Sequence, residues 1–204
     1  MKSAQRRLIL AIFASATLAA CSGIPLTSLS RLVSLPDELL HLDPAELVLA
    51  IQTDRRVVPP AGAVPQLLVQ IHPRVAGGFE PVDRELPLVY SGGGAPVGLP
   101  RAGGDRRWMV YRFSPEAQAE LVRLQAQFQK ARSQGQGSPG ATFGVGIEQE
   151  GVAPDDPRLA ATRWESWLRT SSKTGFFELW SGTLGNLVDR ARAERAKLTA
   201  HTAP

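Results

Sequence analysis

Apolar residues run almost unbroken over residues 8–20, thin out, and from Leu47 onward recur at every second position. Alternate side chains of an extended chain point the same way, so Leu47, Leu49 and Ile51 share one face of a predicted strand. Leu67, Val69 and Ile71 do so in a second strand, Leu86, Leu88 and Tyr90 in a third, and Met109, Tyr111 and Phe113 in a fourth. Phe143, Val145 and Ile147 repeat the pattern later. Turn chemistry such as Val58-Pro59-Pro60-Ala61-Gly62 and Ala76-Gly77-Gly78 separates the strands, with no helical stretch among the first four, which predicts antiparallel pairing.

The period becomes helical after Ser114, which can cap, and Pro115, which suits a first helical position. Ala117, Leu121, Leu124, Phe128 and Ala131 then form a narrow apolar stripe until Gly135 and Gly137. The stripe predicts a helix over 115–133 lying along the outside of a sheet, with Leu121, Leu124 and Phe128 buried and positions such as Gln125 tolerant of change. Residues 164–168 and 176–180 read as two strands of a hairpin around 171–175. Leu184, Leu187, Val188, Ala191 and Leu198 lie at helical spacing in a terminal helix that frays before Pro204. Residues 36–41 offer a helical turn, and Asp43-Pro44-Ala45-Glu46 has the order of a capping box.

The expected fold is mainly β: an antiparallel β-sandwich-like domain with one long helix packed outside and a C-terminal helix. The alternative is an α+β sheet covered by the helix. An immunoglobulin-like topology lacks its Cys-Trp-Cys landmark. The divisions are 1–20, 21–35 as a tether, 36–182 as the globular β-rich domain, and 183–204 as C-terminal helix and tail. Residues 91–105 carry Gly92, Gly93, Gly94, Gly98, Gly103 and Gly104 and read as a mobile connection rather than a lid.

A chain of 204 residues with 43% hydrophobic and 21% charged residues can bury a core, which excludes wholesale disorder and a polytopic membrane protein. The formal charge of +4 owes three units to Lys2, Arg6 and Arg7; from residue 21 onward 20 basic residues face 19 acidic ones, a net of +1. That balance excludes a general nucleic-acid binder. Nineteen of the 23 basic residues are Arg, read with the abundant Ala, Gly and Pro as coding bias.

Residues 1–7 are cationic and the 13-residue run over 8–20 is too short to span a bilayer, which takes about 20 apolar residues as a helix, so it reads as a signal peptide. It ends in Leu18-Ala19-Ala20-Cys21, which resembles the lipobox of bacterial lipoproteins. The resemblance implies that Cys21 becomes the mature N-terminus, carries a diacylglycerol on its thiol and holds the protein on a membrane facing the periplasm. Ser22, where inner-membrane retention would favour Asp, points by the same analogy to the outer membrane. Cys21 is the sole cysteine, so the rest of the chain has no disulfide and no thiol nucleophile.

Candidate chemistry is sparse. The chain has no Gly-x-Ser-x-Gly, Gly-x-Gly-x-x-Gly, phosphate-loop or His-Glu-x-x-His motif. His41, His72 and His201 are scattered, and no metal or cofactor is expected. Glu148 with Glu150, and Asp155 with Asp156, read as solvated carboxylates. The densest feature is aromatic: Trp164, Trp167, Phe176, Phe177 and Trp180 are five of 13 aromatic residues, with Arg163, Arg169 and Lys173 among them. Arg163, Trp164, Trp167, Arg169, Phe176 and Trp180 are therefore the candidate binding surface, against a reading in which the rings complete the core. The expected function is a non-catalytic binding or assembly module of the cell envelope. Its partners would be the membrane, through acyl chains on Cys21, and an envelope protein or glycan, but no nucleic acid. The alternative is an envelope hydrolase with a non-standard site near His72.

Overall fold

A computed structural model of the chain describes residues 25–73, 80–131, 141–148 and 157–202. Cys21 and the signal segment, Gly135, Gly137, Glu150, Asp155 and Asp156 lie outside the described residues, as do the side chains of His72, Phe143, Val145 and His201.

Seven strands, β1 (Val48–Asp54), β2 (Gln66–Pro73), β3 (Val82–Gly92), β4 (Arg106–Phe113), β5 (Ala141–Glu148), β6 (Arg163–Arg169) and β7 (Phe177–Thr183), form one curled antiparallel sheet in the order β5-β2-β3-β4-β1-β6-β7. Among the described residues three helices accompany it: α1 (Leu29–Leu39), α2 (Pro115–Ala131) and α3 (Leu184–Thr202). The expected β-rich antiparallel domain with a long helix beside it and a helical C-terminus is what the chain builds, in the form of one helix-covered sheet.

The face toward the helices carries the period-two residues. Leu49 and Ile51 of β1 are paired in register with Leu168 and Ser166 of β6 and with Tyr111 and Met109 of β4. Leu67, Val69, Ile71, Leu86, Leu88 and Phe113 continue the same buried core. Burying apolar area is worth roughly 25 cal/mol per Å², so this face holds the largest favourable contribution in the molecule. Tyr90, expected inside with Leu86 and Leu88, is 59% exposed; β3 runs on past the core to a bulge, and the ring meets Tyr111 edge-on at 5.9 Å.

Helix α2 starts as expected: the Ser114 hydroxyl accepts from the Ala117 amide at 3.1 Å, and Ala117, Leu121 and Leu124 are buried. Gln125 is not the free position expected of it. Its side-chain amide donates to the carbonyls of Leu39 at 2.8 Å and Leu42 at 2.9 Å, where α1 ends and its last carbonyls lack helical partners. Helix α1 begins within residues that read as tether, 29–35, and its last turn falls where a helical turn is expected over 36–41. Leu35 and Leu39 are buried and Leu32 packs beside them; the turn at 26–28 lies against β7 and α1 against β5, so this segment bridges the two edges of the sheet. Glu38 fixes it further, accepting from Ser34 at 2.9 Å and from Thr170 at 2.8 Å.

The capping box at 43–46 forms by half. Asp43 accepts from the Ala45 amide at 2.9 Å, whereas Glu46 turns to the β6–β7 turn and accepts from the Ser172 hydroxyl at 2.7 Å. That bond holds the Glu46 carboxyl below the usual carboxylate range.

Candidate functional site

The other face of the sheet differs in residues and in cover. Its centre is Val48, Ala50 and Gln52 of β1, with Trp108, Val110 and Arg112 on β4 and Glu165, Trp167 and Arg169 on β6 in register beside them. Val48, Ala50, Gln52 and Trp108 are buried yet stand apart from the main core. The glycine-rich segment after β3 folds over them. The Trp108 indole donates to the Pro100 carbonyl at 3.0 Å, Ser91 donates to the Val110 carbonyl at 3.1 Å, and the Arg55 amide donates to the Asp105 carbonyl at 2.8 Å. Gly98 and Gly104, at φ of +95° and +58°, make turns that a side chain would strain. The segment expected as a loose connection is therefore bonded to the sheet as a cover.

The hairpin predicted over 163–180 is present, and its rings are divided between the two faces. Trp164 and Trp180 are buried on the helix side, so neither belongs to an open surface. Plain alternation from Phe177 would send Trp180 to the opposite face. A register shift, in which Ser166 pairs with Trp180 but Trp167 with Glu178, lets both Phe177 and Trp180 point inward. Trp167 is half-buried on the outer face, and its indole nitrogen, buried, has no partner among the described residues. Arg163 is exposed and donates to Glu165, which also pairs with Arg106 at 2.9 Å. Desolvation raises the Glu165 pKa, but the bonds from Arg163 and Arg106 outweigh it and leave the carboxyl below its ordinary value.

Arg169 and Phe176 come together, the guanidinium 5.3 Å from the ring centroid. They border a cleft of about 310 Å³ whose other walls include Val48, Pro96, Val97, Val110 and Arg112. Val97 is 91% exposed at its rim. The cleft joins two features separate in the sequence, the glycine-rich segment and the aromatic hairpin. Val48, Val110 and Arg112 had no local signal; only the β4–β1–β6 pairing brings them to one place, where the glycine-rich segment adds Val97.

His41 is exposed after α1, and Asp43, two positions on, serves as a cap. His72 sits opposite Thr142 in the β2–β5 register. Among the described residues no group of three His, Cys, Asp or Glu side chains could hold a metal ion, and no helix is long and apolar enough to cross a membrane. No protein-family model matches the chain, nor does any curated protein or solved structure.

Proposed function

We propose that this chain is a bacterial lipoprotein, acylated on Cys21 and facing the periplasm from the outer membrane, whose domain works by contact rather than catalysis. The anchoring rests on the lipobox Leu18-Ala19-Ala20-Cys21 and the side of the membrane on Ser22. The contact role rests on one observation: the outer cleft combines the apolar Pro96, Val97, Val110 and Phe176 with the guanidiniums of Arg112 and Arg169. Apolar walls supply area, and planar guanidiniums orient an acidic or carbonyl-bearing group on an envelope protein or glycan.

The folded domain begins close to the anchor. Pro25, the first described residue, follows Cys21 by four positions, a reach of at most ~14 Å in extended chain. An acylated Cys21 therefore holds the domain near the bilayer surface. The test is incorporation of labelled fatty acid. Wild type should take up label and fractionate with membranes, while Cys21→Ser should do neither; unlabelled wild-type protein overturns the anchoring. For the contact role, Phe176→Ala with Arg169→Ala should abolish association with the envelope partner while the thermal unfolding temperature holds, and undiminished association overturns it.

A further inference from the structure

A second cleft opens at the end of the sheet where β4 begins, on the far side of the glycine-rich cover. It has a volume of about 570 Å³ and is lined by Arg55, Arg101, Arg106 and Arg107, with Gly93, Ala95, Ala102 and Trp108 completing the wall. No carboxylate lines it. Of the four arginines, only Arg106 is ion-paired among the described residues, with Glu165. The acids adjacent in sequence, Asp54 and Asp105, are both outside its lining, and Asp54 is engaged by Arg56 at 2.8 Å.

Two of the four are held and two are free to reach. One Arg106 amine donates to the Gln52 carbonyl at 3.3 Å, and one Arg107 amine to the Val57 carbonyl at 2.7 Å. The Nε atoms of both are buried without a partner among the described residues. Arg55 and Arg101 are exposed; Arg55 makes one long bond, to the Arg106 carbonyl at 3.4 Å, and Arg101 makes none among the described residues. Glu165 offsets the charge of Arg106, but Arg55, Arg101 and Arg107 bring three like charges to one cleft without an ion-pair partner among the described residues, and a counter-anion relieves their repulsion. Guanidinium forks match the oxygens of phosphate in pairs, and the small side chains of Gly93, Ala95 and Ala102 leave the approach open. The volume is that of an organic ligand rather than a bare ion.

We propose that this cleft binds a phosphate ester through Arg55, Arg101, Arg106 and Arg107. The site needs only the folded domain and stands apart from the anchoring and contact roles above. Attraction between the guanidiniums and a phosphate is screened by ions, so binding should weaken as salt rises.

The same chemistry is offered by a soluble phosphate ester and by a lipid headgroup. The full chain, purified in a neutral detergent, should be titrated calorimetrically with glycerol phosphate and, separately, with short-chain phosphatidylglycerol. Glycerol and short-chain diacylglycerol serve as the phosphate-free controls. Heat with glycerol phosphate identifies a free ester as sufficient; heat with the lipid alone identifies a headgroup. In either case Arg55→Ala with Arg101→Ala should weaken binding roughly tenfold or more, with Arg55→Lys and Arg101→Lys intermediate. Arg101→Ala alone, which breaks no bond among the described residues, carries the same test if the double variant unfolds early. No heat with either phosphate ligand at millimolar concentration, equal heat with the phosphate-free controls, or binding unchanged by Arg101→Ala in a folded protein overturns the proposal.

Discussion

The two faces of the sheet are buried by different means. The helix-side face is covered by α1, α2 and α3, and its residues, from Leu49 to Trp180, form one continuous apolar cluster. The outer face buries only its centre, under a glycine-rich segment that holds Trp108 through a single bond to Pro100. Around that centre stand Arg106, Arg112 and Arg169, with Arg55 at the end of the sheet beside Arg106, and both clefts open there. One face spends its large side chains on cohesion. The other keeps guanidiniums and a few rings within reach of solvent, where they add little to stability and are available to a partner.

If that division holds, substitutions on the inner face should cost far more than their outer counterparts. Trp164→Ala, at a residue 4% exposed, should lower stability by about 3–5 kcal/mol in denaturant unfolding, and Trp167→Ala, three positions on but half-buried, by clearly less. Gly182→Ala comes next. A Cβ there would lie 2.6 Å from the Trp180 ring, which is itself packed in the core, and the displacement should cost about 1–3 kcal/mol. Gln125→Ala removes both bonds to the end of α1 and should cost about 1–2 kcal/mol, reporting on whether α1 is part of the domain.

The smallest effect is one of pH. The Asp54 carboxyl is lowered from 3.8 to about 2, chiefly by its bonds from Arg56. A depressed carboxylate stabilises the fold fully above its unfolded value and loses that contribution as pH falls through its folded value. Asp54→Asn should therefore flatten the wild-type loss of stability between 3.8 and about 2, by less than about 1 kcal/mol because Arg56 is largely exposed. An unchanged acid profile would mean that the pair contributes nothing.

The inner face was legible because its information is local. Period-two runs such as Leu67, Val69 and Ile71, and the Ser114-Pro115 start of α2, carry their meaning within a few residues. Helix α1 was hidden by Pro36 inside it and by a Ser28 whose side chain makes no cap bond, although Leu32, Leu35 and Leu39 already lay at helical spacing. The bulge that turns Trp180 inward is visible only in the pairing of Ser166 and Trp167 with β7. The outer clefts were less legible still. Arg55 and Arg106 lie 51 positions apart, and only the β1–β4 register makes them neighbours. The aromatic hairpin supplied two of the lining residues, Arg169 and Phe176, while Trp164 and Trp180 went to the core.

The division of labour between the faces is tested most directly by photocrosslinking the full-length protein in the cells that make it, with Phe176 or Val122 replaced by benzoyl-phenylalanine. Phe176 lines the outer cleft, and Val122 is 52% exposed on α2 across the sheet, so both are open to solvent but on opposite sides. A working outer face predicts a discrete adduct from position 176 and none from position 122. An adduct from position 122 alone, equal adducts from both, or none from position 176 would contradict it.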